Sequence, residues 1–160
     1  MKAEKIQIRK AYEHDCEEIL KLIQELAVYE KAGHEVELTL EQLTEDGFGT
    51  NPLYKALIAE RENETLGIAI YYYKYSTWKG KCLFLEDLVI REKHRRLGIG
   101  GRLFQAIIDI SKKEKVKRME WQVLDWNTPA IEFYKKYGSE LESEWLNGRL
   151  YEKDLQNLGC

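Results

Sequence analysis

Cysteine is scarce in this chain of 160 residues: Cys16, Cys82 and Cys160 are three, odd in number and far apart. That excludes a disulfide framework and matches no zinc-ligand spacing, so a reducing compartment is expected. Long apolar runs are also missing. The N-terminal stretch has charges scattered through it and no apolar core of signal-peptide length, and no run reaches membrane length. The cytoplasm is therefore the expected location, with no membrane partner. Positive charge is not in excess either: 25 Lys and Arg against 28 Asp and Glu leave a net charge of −3, whereas a nucleic-acid binder shows a basic face. Of the three histidines, His14 and His34 sit in polar segments, and His94 beside two arginines reads as solvated or near phosphate. None makes a catalytic or metal-ligand candidate, and no metal is expected. No internal repeat, low-complexity tract or linker divides the sequence, so one domain over residues 1–160 is expected. Hydrophobic residues at 44% suffice for a core, and charged residues at 33% supply a soluble surface.

Periodicity orders the elements. Ile6-Gln7-Ile8-Arg9 alternates as a first strand, and from Asp15 the residues Ile19, Leu22, Ile23, Leu26 and Ala27 recur at helical spacing. Thr39-Leu40-Glu41-Gln42 reads as a capping box opening a shorter helix that ends near Gly47. Leu57 to Glu60 and Leu66 to Tyr75 read as strands around the polar turn Glu62-Asn63-Glu64, and Trp78-Lys79-Gly80-Lys81 turns into a third. Beyond a long helix, Met119 to Leu124 predicts a strand, Pro129 suits the first turn of a helix to about Tyr137, and Asn147-Gly148 predicts a hairpin between two short C-terminal strands.

Arg95-Arg96-Leu97-Gly98-Ile99-Gly100-Gly101 stands between the apolar strand Cys82 to Arg91 and a helical run with Leu103, Phe104, Ile107, Ile108 and Ile110. A strand that feeds a glycine turn and a helix start aims bare N–H groups and the positive end of the helix dipole at one point. Glycine lets an anion approach the backbone, and the two arginines add forked donors suited to phosphate oxygens. A pyrophosphate-like ligand is favoured; the competing reading is an ordinary glycine loop beside a solvated basic turn. The dinucleotide fingerprint is excluded because Leu103 stands where its third small residue belongs, and no Gly-Lys-Ser/Thr triplet occurs. What remains, Arg-x-x-Gly-x-Gly, resembles the acetyl-CoA pyrophosphate loop of the GNAT N-acetyltransferases. The element order is similar to that fold along nearly the whole chain: α+β, with a mixed, mostly antiparallel twisted sheet flanked by helices.

Glu86 and Asp87 lie mid-strand among apolar residues, and burying an ionised carboxylate costs several kcal/mol unless it is paired. Neighbouring strand residues face opposite sides, so the two see different environments. A structural ion pair is the competing reading for each. The second constellation, Asn127-Thr128-Pro129-Ala130-Ile131-Glu132-Phe133-Tyr134, resembles the other half of the family's cofactor site, where the Asn holds the pantetheine arm and the Tyr lies near the thioester sulfur. Helical spacing alone would make Tyr134 a core aromatic beside Phe133. An amine with a pKa near ~10.4 must lose a proton before it attacks a thioester, and a nearby carboxylate takes it, directly or through a water. On this reading Glu86 is the base, Tyr134 the general acid, and the backbone around Leu88 donates to the developing oxyanion. No cysteine neighbours either constellation, so direct transfer in a ternary complex is expected.

Within the family the chain is similar to the diamine acetyltransferases, the spermidine/spermine enzymes and their thialysine-acetylating relatives. Lys21 to Glu30, Leu43 to Gly49, Tyr71 to Tyr75, Leu85-Glu86-Asp87 and Trp126-Asn127 carry that likeness. It implies acetyl-CoA as co-substrate, held by Leu88, Val89 and Ile90, by Arg95, Arg96, Leu97, Gly98, Ile99, Gly100 and Gly101, and by Asn127, Thr128, Pro129, Ala130 and Tyr134. It implies a small cationic amine near Tyr29, Glu30, Glu86, Glu120, Trp121 and Gln122, and a homodimer. Polyamine-specific members resemble Tyr-Asp-Pro-Trp where this chain has Tyr75-Ser76-Thr77-Trp78. The missing acid favours a shorter amine with its own carboxylate, such as thialysine, lysine or ornithine. Alternative expectations are a polyamine acetyltransferase, an enzyme acting on a protein N-terminus or lysine, and a non-catalytic acyl-CoA-binding module.

Overall fold

The computed structural model describes residues 5–159, which form two compact units, one up to Gln122 and one from Val123 onward. The first unit runs β1 (Gln7–Lys10), α1 (Cys16–Tyr29), α2 (Leu40–Phe48), β2 (Lys55–Arg61), β3 (Glu64–Ser76), β4 (Gly80–Ile90), α3 (Ile99–Lys113) and β5 (Arg118–Trp121). The strands form one open sheet in the order β1-β2-β3-β4-β5. Every pairing is antiparallel except β4 with β5. This is the expected α+β arrangement, a mixed sheet flanked by helices.

Local rules set several boundaries. The Thr39 side chain accepts the Gln42 N–H while Gln42 Oε1 accepts the Thr39 N–H at 3.0 Å, so the capping box opens α2 as read. Glu62 and Asn63 both hold positive φ, 53° and 62°, which makes the two-residue link between β2 and β3 a tight turn twisted to suit a hairpin. Ser76 Oγ accepts from the N–H groups of Trp78 and Lys79 and shapes the turn from β3 into β4.

The two sheet faces follow from register, because residues directly opposite one another share a face. Ile58, Ile68, Ile70, Ala56 and Val89 pack with Cys16, Ile19, Leu22 and Leu43, which puts α1 and α2 on one face. The helix α3 touches β2, β3 and β4 and buries Leu103, Phe104 and Ile107, so it covers the other. Arg9 ties β1 to both neighbours, with both guanidinium nitrogens on Asp15 at 2.7 and 2.9 Å and one on Glu60 at 2.9 Å. Burial alone would raise the Asp15 carboxyl, but Arg9 outweighs it and holds the group below its ordinary value.

The second unit holds α4 (Thr128–Lys135) and α5 (Glu152–Asn157). Two expectations fail. β5 stops at Trp121 instead of Leu124, because its ladder ends at Leu85↔Trp121, just where β4 departs from regular pairing. No C-terminal hairpin forms about Asn147-Gly148. Residues 139–150 hold no regular element, and from Leu141 to Leu150 every residue is exposed. A two-stranded hairpin with no buried face is marginal in water. The would-be second strand instead enters α5, where the Tyr151 N–H donates to Asp154 Oδ2 at 3.0 Å.

Candidate active site

Glu86 is an extra residue in β4. Tyr71 pairs with Leu85 and Ile70 with Asp87, so Glu86 has no opposite number on β3 and forms a β-bulge. The bulge resets the alternation. Leu83 and Leu85 share the α3 face with Tyr73 and Tyr71, whereas Asp87 and Val89 share the α1 face with Ile70 and Ile68. Glu86 is exposed and Asp87 half-buried. Burial, then the charges of Glu86 and Glu30, push the Asp87 carboxyl up to about 7. Burial also raises Glu30. Tyr72 is pushed up by burial and by the charge and hydrogen bond of Glu86, so one member of the tyrosine run stands at this carboxylate. Tyr71 packs inside the sheet, edge-on to Tyr73. Glu30, Tyr72 and the half-buried state of Asp87 are linked through tertiary proximity, which no local sequence signal carries.

Beyond Leu85 the β4–β5 ladder has ended, so Leu88, Val89 and Ile90 continue with β3 on one side and no strand of the described residues on the other. Half of the backbone groups in an antiparallel edge point away from its partner. The chain then makes a short 3₁₀ turn (Glu92–His94) and the glycine loop. Arg91 fixes the start of the loop: it is ion-paired with Glu18 and with Glu25 at 2.8 Å, both on α1, and its Nε donates to the Thr65 carbonyl at 2.9 Å. His94 is buried with Nε2 3.2 Å from Glu64, which also pairs with Lys93. The solvated or phosphate-facing His94 expected from its neighbours is thus corrected: Glu64, across the sheet, takes it. Lys93 and then His94 pull the Glu64 carboxyl down to about 2.

In the loop, Arg95, Arg96, Leu97 and Gly98 are exposed. Gly98 is the N-cap of α3 at φ 74°, a left-handed conformation that favours glycine, and Arg96 holds φ 65°. The first intrahelical bond is Arg102 N–H to Gly98 O at 3.2 Å. The N–H groups of Gly100 and Gly101 precede it, in the first turn of this 15-residue helix. Ile99 is buried and anchors that end of the helix. Exposed guanidinium groups, a left-handed glycine and a helix N-terminus form a donor set suited to a diphosphate. Arg95 has a second engagement: its Cζ lies 5.0 Å from the Tyr29 ring centroid and its Nε donates to the Ile90 carbonyl at 3.3 Å.

Of the residues expected near the amine, Tyr29 closes α1 and Glu30 is its C-cap. Glu120 on β5 already meets Lys74 at 3.3 Å and Arg118 at 3.4 Å, so its charge is largely balanced. Trp121 packs edge-on against Phe104, with ring centroids 5.5 Å apart, and Gln122 is exposed past the strand end. In the second unit, Asn127 is buried and its Oδ1 accepts the Ala130 N–H at 3.3 Å, making it the N-cap of α4, with Pro129 in the first turn. Thr128 and Pro129 are exposed and Ala130 half-buried. Tyr134 is 8% exposed and edge-on to Phe133, with centroids 5.1 Å apart. Among the described residues, no group of three or more His, Cys, Asp or Glu is arranged to hold a metal ion, and no helix is long and apolar enough to cross a membrane.

Known proteins bear on the same residues. A thialysine N-epsilon-acetyltransferase of Mus musculus is 35% identical, over 94% of this chain and 95% of its own. Spermidine/spermine N(1)-acetyltransferase-like protein 1 of Homo sapiens is 40% identical over 95% of this chain, which matches 23% of that longer protein. An integron cassette protein from the mobile metagenome of V. cholerae, 23% identical, shares the fold with a TM-score of 0.77 over 96% of each chain. The model of the acetyltransferase (GNAT) family matches residues 9–138, through the bulged strand, the glycine loop and α4. The chain therefore belongs to the GNAT acetyltransferase family, within its diamine acetyltransferase group, and is an N-acetyltransferase.

Proposed function

We propose that this protein moves the acetyl group of acetyl-CoA to a primary amine of a small cationic substrate, a thialysine- or lysine-like amino acid or a diamine, by direct attack in a ternary complex. The observation that carries the reading is the exposed loop of Arg95, Arg96, Leu97 and left-handed Gly98 at the head of α3, at the end of the strand bearing Glu86 and Asp87. Acetyl-CoA, when bound, supplies an activated acyl carbon. Arg95, Arg96 and the N–H groups at the start of α3 hold its diphosphate. Leu88, Val89 and Ile90 line its arm, Leu88 donating a backbone N–H to the acyl oxygen, and Asn127, Thr128, Pro129 and Ala130 complete the hold. Tyr29, Glu30, Trp121 and Gln122 border the amine, with Glu120 at their edge.

Glu86 accepts the ammonium proton, directly or through a water, and Tyr134 returns a proton to the departing thiolate. Its exposure on a bulge gives Glu86 room to meet a cation. Asp87 is a second candidate for the base, favoured by a carboxyl pushed up to about 7, near the working pH of a general base. Residues 1–160 are read as one N-acetyltransferase domain that works as a homodimer in the cytoplasm. The family match running across both units supports the first point, and the buried free thiols of Cys16 and Cys82 suit a reducing compartment.

The test is thiol release from acetyl-CoA by the purified protein, offered thialysine, lysine, putrescine, spermidine or a short peptide. Turnover with thialysine or lysine and not spermidine is the expected outcome. A preference for spermidine would turn the assignment to a polyamine acetyltransferase. Bound acetyl-CoA with no turnover on any amine would leave an acyl-CoA-binding module.

A further inference from the structure

Arg95 touches two groups that the proposed reaction keeps apart. Its exposed guanidinium belongs to the loop that meets the diphosphate, yet its Cζ lies over the Tyr29 ring, 5.0 Å from the centroid, while Nε donates to the Ile90 carbonyl. Tyr29 is the last residue of α1, and Glu30 follows it directly as the C-cap, its N–H on the Leu26 carbonyl at 2.9 Å. Lys31 then turns the chain away at φ 61°. Glu30 is close enough to Asp87 for its charge to act on that carboxyl. The glycine loop thus meets the end of α1 through a cation–π pair, and Glu30 is the next residue of the chain.

The rest of α1 is held differently. Arg91 clamps it through Glu18 and Glu25, inside the helix and away from the loop glycines. In the last turn of α1, Leu26 packs on the core while Tyr29 meets Arg95, whose surroundings change when an anion arrives. A guanidinium can do both jobs together, because it stacks with its face and donates hydrogen bonds along its edge. A diphosphate on that edge narrows the orientations open to the plane, and hence those open to the Tyr29 ring and to Glu30 behind it.

We propose that the Arg95–Tyr29 stack couples the two substrates, so that filling the diphosphate site sets Glu30 in place and strengthens amine binding. The inference rests on the acetyltransferase reading above. It makes Tyr29 a positioning residue, and by linkage the amine strengthens CoA binding by the same factor.

The experiment measures, by calorimetry, the affinity of the full chain for thialysine, first alone and then with saturating CoA, which carries no acetyl group and permits no turnover. A rise of about fivefold or more is expected, the lower end of typical coupling between sites. In Tyr29→Leu the ratio falls to about one, and in Tyr29→Phe, which keeps the ring face, it is retained. Arg95→Lys, which keeps the charge without the plane, loses the ratio as well. The ratio is taken within each protein, so a uniform loss of amine affinity cancels, and melting curves for each variant establish that it is folded. A wild-type ratio of one, or an undiminished ratio in folded Tyr29→Leu, overturns the coupling while CoA binding leaves the acetyltransferase reading standing. Failure of the wild type to bind CoA overturns both.

Discussion

Glu86 stands exposed on a bulge, and Asp87, its neighbour, lies half-buried on the face covered by α1. With Glu86 as base, Glu86→Gln is expected to lower kcat by about 10²-fold, the smaller end of general-base effects, with little change in acetyl-CoA binding, as steady-state kinetics will register. A fall confined to Asp87→Asn would move the base one residue along. Asp87 also leaves a mark on stability. Its carboxyl is pushed up to about 7 in the folded chain against an ordinary 3.8, so the folded state holds the proton more tightly. Its contribution is complete below that ordinary value and drains away as pH rises through about 7. Between pH 5 and pH 9 the wild type is expected to lose roughly 2 kcal/mol that Asp87→Asn does not, a difference readable from thermal melts of the two proteins.

At the scale of single elements, two turns carry opposite lessons. Gly98 opens α3 in a left-handed conformation that a side chain adopts at a cost of about 1 kcal/mol. Gly98→Ala is therefore expected to lose about that much stability in urea titrations and, by disturbing the donor set at the helix start, to raise KM for acetyl-CoA. The link between β2 and β3 is the reverse case. Its backbone suits Asn-Gly, yet Glu62 and Asn63 occupy it at positive φ. The double substitution Glu62→Asn with Asn63→Gly should raise the unfolding midpoint by an amount worth about 1 kcal/mol, and turnover, measured alongside, should hold steady.

Across the whole molecule, what was legible in the sequence follows the range of the interaction. The capping box at Thr39, the amphipathic α1, Pro129 at the head of α4 and the strand–loop–helix around Gly98 are short-range patterns, and each formed where it was read. The limits of β5, the face taken by Asp87, the pairing of His94 with Glu64 and the reach of Arg95 to Tyr29 depend on strands and helices distant in the chain. Strict alternation would set Asp87 on the face of Leu83 and Leu85; one unpaired residue sets it under α1. Asn147-Gly148 shows the converse, a strong local turn signal with no buried face to sustain the strands on either side.

That unpaired residue gives the strand an unusual tolerance. With Glu86 absent, Leu85 would join Asp87 directly, Tyr71 and Ile70 would keep their present partners, and every other β4 side chain would stay on its own face. A chain shortened by this one residue is expected to fold and melt much as the parent does while losing turnover, which circular dichroism and the thiol-release assay would separate. In genetic terms, one codon carries the carboxylate, and its removal leaves the rest of the ladder in frame.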